Sequence, residues 1–384
     1  MKLFEAHATG TFIDRPNRFV MVIELPDGSH VRAHAPNPGR MWELLYPGTK
    51  VILQRPSRAA ATGRKTSWSV VAVRRPSDGT VIPLVATAAN EIAAELIIPQ
   101  LFPEALCVHR EVTRGPSRFD FQLELPDGPI LMEVKSCTLE AHGVAMFPDA
   151  ATERGRRHVE ELTSIRDGRR VVLFVIQGPR ADRFVPDIHT DPAFSQALKR
   201  AAENGVEIRV AAVESDPTGE THLTQTDVPI DWSPLTAVEQ NSGAYVLHMR
   251  VDPGRTAQER QVEIGALGTH SLAPGHYLYV GSAMGTMTTR IARHLRVRKR
   301  MRWHVDYLRA VSDWAAVYPV YSTRRLECPL ATALSSFLPQ PFPGFGSSDC
   351  ACKSHLFFSP GDPRRLPEFV ETILLFRHRE ALTR

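Results

Sequence analysis

Hydrophobic positions recur every second residue from the start of the chain to about residue 80, and turn residues interrupt the run. Residues 18–25 read as a strand, Pro26-Asp27-Gly28 as a turn, and residues 30–34 as the returning strand. Residues 48–54 and 67–73 repeat the pattern. Short strands at this spacing predict a small barrel of the OB type. Near residue 86 the period lengthens. Ile92, Ala93 and Leu96 share one face of a helix over 87–96. Strands over 119–125 and 130–135 flank a second Pro-Asp-Gly turn. A helix over about 150–165, an apolar strand at 171–176, a helix at about 193–204 and a strand at 206–211 follow. This mixture predicts an α/β sandwich.

Residues 231–242 are polar, carry one proline and lack a period, so they read as a linker. Beyond them, 244–249 and 275–281 read as strands, and a strongly basic helix follows. The expected organisation is a multi-domain α/β protein: a barrel over 1–82, an α/β domain over 83–230, the linker, and a further α/β domain over 243–384.

Composition changes this picture little. Of 384 residues, 43% are hydrophobic and 23% charged, enough for buried cores. A net charge of +4 is a weak pointer to a polyanionic partner. Apolar runs fall short of the roughly 20 residues that a membrane helix needs, so no membrane role is expected. Five scattered cysteines do not form a disulfide framework; a reducing cytoplasm is the expected setting.

The candidate chemistry begins on the central hairpin. Residues i and i+2 of a strand face one side, so Glu133 and Lys135 point together, with Asp120 on the partner strand. Two carboxylates suit Mg²⁺ or Mn²⁺, and Glu95 on the preceding helix would add a third. The plainer reading is a solvated strand face carrying a charge pair. Pro36-Asn37-Pro38-Gly39-Arg40-Met41, Ser117-Arg118-Phe119-Asp120-Phe121, Glu133-Val134-Lys135-Ser136 and Phe147-Pro148-Asp149-Ala150 together resemble the sugar fermentation stimulation protein family. So do Thr152-Glu153-Arg154-Gly155-Arg156-Arg157-His158 and Asp191-Pro192, and the likeness runs in order over about residues 1–230. It implies an OB-like domain joined to a fold similar to PD-(D/E)xK nucleases, with DNA binding as the trait. It places Glu95, Asp120, Glu133 and Lys135 at a metal site, with Gln177 in the accessory position.

Basic residues supply candidate DNA contacts. Arg154, Arg157 and His158 share a helical face, after a turn in which Thr152 or Asp149 is the candidate cap. The face is either ordinary helix surface or a phosphate clamp. Arg15, Arg18, Arg40, Arg64 and Lys65, with Trp42, Tyr46 and Trp68, would line a basic groove with stacking rings. Arg290 and His294 share a helix face, and seven Arg or Lys residues without an acid run from Arg290 to Arg302. Arg293, His294 and Arg298 are the phosphate contacts that this run suggests.

The tyrosines at 245 and 279, Trp303-His304-Val305-Asp306-Tyr307-Leu308, Leu326-Glu327-Cys328 and Gly344-Phe345-Gly346-Ser347-Ser348-Asp349-Cys350 resemble a divergent branch of the GIY-YIG endonuclease superfamily, over about 243–358. The first motif reads Gly-Ala-Tyr and the second Tyr-Val-Gly. The likeness implies catalytic roles for Tyr245, Tyr279, Arg290 and Glu327, with Glu327 binding one metal. Cys350, Cys352 and His355 are soft-metal ligand types that Cys328 would complete; the alternative is a structural turn with partly buried thiols. The expected function is sequence-independent DNA binding with one or two Mg²⁺- or Mn²⁺-dependent nuclease sites. The rival is a non-catalytic DNA-binding regulator that uses nuclease folds as docking surfaces.

Overall fold

The computed structural model describes residues 1–37, 39, 41–56, 66–85, 87–179, 181–256 and 260–382, with side chains up to Glu380. The chain forms two compact units, Met1–Trp232 and Ser233–Arg384.

The first unit begins with β1 (Ala8–Asn17), β2 (Val20–Glu24), β3 (His30–His34), β4 (Lys50–Gln54) and β5 (Trp68–Arg74). β1 pairs with β2 and β4, β2 with β3, and β4 with β5; a parallel β3–β5 pairing closes the ring. The alternation that marked these strands points Met21, Ile23, Val51, Leu53, Val70 and Val73 into one barrel core. Closure leaves the five-stranded barrel without open edges.

β6 (Val81–Pro83) pairs with β5 and makes one bridge to β14 (Glu207–Ser215), so the barrel runs directly into the second sheet. That sheet continues β14, β12 (Arg169–Gln177), β9 (Ile130–Cys137), β8 (Ser117–Glu124) and β7 (Cys107–Arg114). β12 is parallel to both neighbours and β8–β9 is an antiparallel hairpin. β12 is apolar throughout its centre because both its faces are covered. On one side lie α1 (Ala88–Ile92), a π-turn (Ala93–Ile97) and α2 (Ile98–Leu101), packed on Met132, Val134, Leu173 and Val175. On the other lie α3 (Glu153–Ser164) and α4 (Pro192–Glu203), packed on Leu131, Val172, Phe174 and Ile176. β10 (Leu139–Ala141), β11 (Val144–Phe147) and β13 (Arg183–Pro186) form a small separate sheet, and β15 (Thr221–Gln225) flanks β14.

The second unit opens with α5 (Leu235–Glu239), which lies inside the stretch expected to be a linker. Leu235 and Ala237 are buried, and two apolar anchors one turn apart are too few to show as a period in sequence. An antiparallel sheet follows in the order β20 (Asp313–Tyr321), β16 (Ser242–Val251), β19 (Gly275–Met284) and β21 (Leu356–Ser359). β17 (Gln261–Glu263) and β18 (Thr269–Ser271) form a hairpin. The helices are α6 (Met287–Leu295), α7 (His304–Ala310), α8 (Glu327–Ser335) and α9 (Pro367–Leu382). α6 ends at Leu295, so the basic run after it is irregular chain rather than the expected continuous helix. No helix among the described residues is long and apolar enough to cross a membrane.

Candidate active sites

In the first unit the site forms where β8 and β9 part. Their backbones pair through Phe121↔Met132, and one step further Asp120 would face Glu133. There the Asp120 side chain takes the place of the ladder: one oxygen accepts from the Val134 N–H at 2.7 Å and the other from Asn90 Nδ2 of α1 at 2.8 Å. Burial, reinforced by the charge of Glu133, raises the pKa of Asp120, against the pull of the Val134 amide, Asn90 and Lys135.

Glu133 is 3% exposed. Its Oε1 bonds to Lys135 Nζ and to His158 Nδ1, the latter at 2.7 Å. Its Oε2 is buried without a hydrogen-bond partner among the described residues. A buried carboxylate oxygen left unpaired is costly unless something binds it. Two neighbouring carboxylates, one with a spare oxygen, suit a hard, oxygen-seeking divalent ion such as Mg²⁺ or Mn²⁺.

The other residues proposed from sequence fall as follows. Glu95 sits in the π-turn, exposed and within electrostatic reach of Arg110; the residue of this segment that meets Asp120 is Asn90. Gln177 is buried, with Oε1 unpaired and Nε2 3.4 Å from Ser136 Oγ. Strand alternation puts it on the α1 side of the sheet, whereas Glu133 faces α3. Thr152 caps α3 by accepting from the Gly155 N–H at 3.0 Å. His158 of α3 turns inward onto Glu133, while Arg154 and Arg157 are exposed. Neither Asn90 nor the inward turn of His158 was read from sequence. The fourfold helical spacing that brings His158 under the sheet also fits an outward clamp.

On the barrel, Arg15 is occupied by the loop itself: its guanidinium donates to the carbonyls of Asn37 and Arg18 at 2.8 Å, and to that of Gly39. It holds the turn that was expected to present it. Arg18 is exposed, with its guanidinium 4.7 Å from the Phe19 ring centre. Tyr46 is buried in the core, Trp42 is half-buried, and Trp68 lies under Arg55 at 4.9 Å. Arg40, Arg64 and Lys65 lie outside the described residues.

In the second unit, Tyr245 of β16 pairs with Gly281 of β19, and Tyr279 lies two residues back on the same face. A Cβ on Gly281 would stand 2.8 Å from the Tyr245 ring, so glycine is what lets the ring lie across β19. Tyr245 Oη is 3.0 Å from His294 Nε2, and the charge of Arg290 acts on this phenol. Burial raises the pKa of both phenols well above the usual tyrosine value. One Glu327 oxygen is 3.1 Å from His355 Nδ1 and the other accepts from Ser282 Oγ. Burial would raise this carboxyl, but those two bonds and Arg290 win and lower it. Tyr245, Tyr279, Arg290 and Glu327 thus lie within electrostatic reach of one another, and His294 lies against both tyrosine rings. Each Glu327 oxygen keeps a second lone pair, and the side chain is 28% exposed, so it can reach a metal.

The basic run is less free than its composition suggests. Asp306, fully buried, accepts from Arg293 at 2.9 and 3.0 Å and from Lys299 at 2.9 Å. Arg293 is therefore an internal ion-pair partner and His294 is buried, while Arg298 is exposed. The guanidinium groups of Arg290, Arg293 and Arg302 lie 4.6, 4.2 and 5.3 Å from the Trp303 ring centre.

A closed barrel running into a mixed α/β sheet, with an acidic pair at the sheet's parting hairpin, defines an OB-plus-α/β protein with a candidate metal site. Three family models match the chain. The SfsA N-terminal OB domain model matches residues 13–82, the sugar fermentation stimulation protein RE domain model matches 87–219, and "Domain of unknown function DUF123" matches 244–375. The sugar fermentation stimulation protein homolog of Chloroflexus aurantiacus is 41% identical over 217 residues, 55% of this chain and 81% of the relative. That of Methanothermobacter thermautotrophicus is 40% identical over 211 residues, 54% and 85%. The chain belongs to the sugar fermentation stimulation protein family. Among solved structures, Pyrococcus furiosus SfsA in complex with Ca²⁺ is similar at a TM-score of 0.53 and 29% identity, over 60% of this chain and 99% of that one. The residues that carry the GIY-YIG likeness, Tyr245, Tyr279, Arg290 and Glu327, all lie inside the 244–375 match.

Proposed function

We propose that this chain is a DNA-binding, metal-dependent nuclease. The observation that supports this reading best is the unpaired, buried Glu133 Oε2 beside a second, half-buried carboxylate, Asp120. Asp120 and Glu133 would hold one Mg²⁺ or Mn²⁺, and the Ca²⁺ in the similar Pyrococcus furiosus structure favours a divalent ion. Such an ion lowers the pKa of bound water and stabilises a leaving oxygen. Lys135 orients the Glu133 carboxylate, and its ammonium offsets charge on a phosphate brought to the pair. His158 fixes the Glu133 carboxylate from the opposite side.

The second unit carries a second phosphodiester site on the same reading. Tyr245 and Tyr279 stay neutral at physiological pH, so they orient a nucleophile or phosphate by hydrogen bonding rather than serve as bases. Arg290 holds the reacting phosphate and Glu327 binds the divalent ion. DNA is engaged largely without base preference, through exposed arginines such as Arg18, Arg154, Arg157 and Arg298.

The test is cleavage of duplex, single-stranded and branched DNA by the full chain with Mg²⁺ or Mn²⁺, together with calorimetry of metal binding. Glu133→Gln and Asp120→Ala should each abolish cutting at the first site and weaken Mn²⁺ binding there. A wild-type chain that binds no divalent ion at millimolar concentration would overturn the metal-site reading. One that binds ion and DNA but cuts nothing would favour the non-catalytic regulator.

A further inference from the structure

Soft-metal ligands from two separate segments converge in the second unit. Cys328 is the second residue of α8; Cys350, Cys352 and His355 lie in the chain leading into β21. One ligand atom from each of the four lies within 4.8 Å of all the others. A tetrahedron with ordinary zinc–sulfur bonds has sulfur–sulfur edges of about 3.8 Å, so small side-chain rotations close this group around one ion.

The histidine is oriented as a metal-binding imidazole. His355 is 1% exposed, its Nε2 lies 3.5 Å from Cys350 Sγ, and its Nδ1 is 3.1 Å from the Glu327 carboxylate. A ligating histidine usually gives its other ring N–H to such an acceptor, which fixes the tautomer that leaves Nε2 free for metal. The three sulfurs and one imidazole nitrogen exclude Mg²⁺ and Ca²⁺, which want oxygen, and favour zinc.

The surroundings explain what such an ion would do. Among the described residues, no helix or strand lies between Ser335 and Leu356. Irregular stretches of this length are uncommon in compact domains unless something ties them down. Direct ties include Gly346 N–H to His304 Nδ1 at 3.0 Å and Gln340 Nε2 to the Ser354 carbonyl at 2.7 Å. An ion bound by Cys328 on one side and by Cys350, Cys352 and His355 on the other joins the start of α8 to the end of this segment. We propose that Cys328, Cys350, Cys352 and His355 bind one structural Zn²⁺ that staples this segment to α8. With four protein ligands the site is closed, so the ion is not a reaction centre. The proposal stands whether or not the chain cuts DNA.

The full chain, purified in reductant without chelator, should contain one zinc per chain by elemental analysis. A mercurial thiol reagent should release that zinc into an indicator dye, which tests the wild type without relying on a variant's folding. Cobalt exchange should give the intense visible bands of a tetrahedral ion and a thiolate charge-transfer band. Cys328→Ser and Cys352→Ser should each lose most of the zinc, whereas Cys107→Ser, on an exposed thiol in the first unit, should keep it. A metal-free wild type that takes up no cobalt overturns the proposal. So does a disulfide among the three thiols in reductant, or zinc that survives both Cys328→Ser and Cys352→Ser.

Discussion

At the scale of single residues, the first site rests on how one carboxylate oxygen is held and the other left free. His158 Nδ1 and Lys135 share Oε1 of Glu133, so removing the imidazole loosens the carboxylate without removing a ligand. Such supporting partners are typically worth 10–100-fold in metal affinity. His158→Ala should therefore weaken Mn²⁺ binding by about one to two orders of magnitude, read by calorimetry, and an unchanged affinity would mean that His158 only packs. Asp120 sets the pH dependence. Its raised pKa means that the folded chain keeps this proton to higher pH than the unfolded chain does. Metal-free stability from this group is therefore present at low pH and declines as pH rises through the folded value. Metal must displace that proton, so calorimetry in buffers of different ionisation enthalpy should show proton release on the acidic side that fades as pH rises. Asp120→Ala should remove that release; if the release persists, another group is titrating.

At the scale of elements, period-two alternation made the barrel strands legible, because a one-residue slip would turn every core side chain outward. β12 was equally plain, since a strand covered on both faces needs an unbroken apolar run. β7 was not: most of its residues are exposed, so its pairing with β8 left no hydrophobic signature. The Asp120–Glu133–Lys135 group showed because hairpin partners lie close in sequence. Ligand type alone suggested that Cys328 completes the Cys350, Cys352 and His355 set, but their meeting depends on where α8 and β21 lie, which local spacing does not carry. The basic run after α6 misleads for a related reason. Arg and Lys are good helix formers, but Asp306 draws Arg293 and Lys299 inward and the chain turns off the helix at Arg296. Burial pushes the Asp306 carboxyl up, yet the adjacent His294 imidazole and the bonds to Arg293 and Lys299 outweigh that and hold it well below the usual range. Its stabilising effect is then present above the unfolded value of about 3.9 and lost as pH falls toward the folded one. Asp306→Asn should cost about 3–5 kcal/mol of folding stability by denaturant titration, because it strands buried cations. Arg293→Ala should also destabilise the fold. Arg298→Ala should leave stability alone and reduce the slope of log K against log salt for duplex DNA by about 0.9. Equal effects of Arg293→Ala and Arg298→Ala on binding and stability would return both to the surface.

At the scale of the whole molecule, the question is which parts can fold by themselves. The sequence suggests a boundary near residue 82, and the family models also part there, between 82 and 87. The physical contacts cross it. β6 pairs with β5 of the barrel and bridges to β14 of the sheet. The first residues of the chain lie along the loop before β15: the Leu3 N–H donates to the Gly219 carbonyl, and Thr221 N–H to that of Met1, at 2.9 and 2.8 Å. Phe4 is buried in a cluster with Ile52, Val71, Ala72 and Val81. A fragment ending at about residue 85 would therefore keep the barrel ring but expose the β6 edge and the Phe4 cluster to water. By contrast, the core clusters built on the barrel and on the mixed sheet all lie within Met1–Trp232. Residues 1–232 should thus unfold in urea as one cooperative transition, with fluorescence and circular dichroism coinciding. A deletion of residues 1–4 should lower its midpoint without splitting the curve, because it removes Phe4 and the two backbone bonds together. Two separate transitions in 1–232, or a fragment 1–85 as stable as the barrel within the longer chain, would show that the barrel folds independently and that β6 is only a tether.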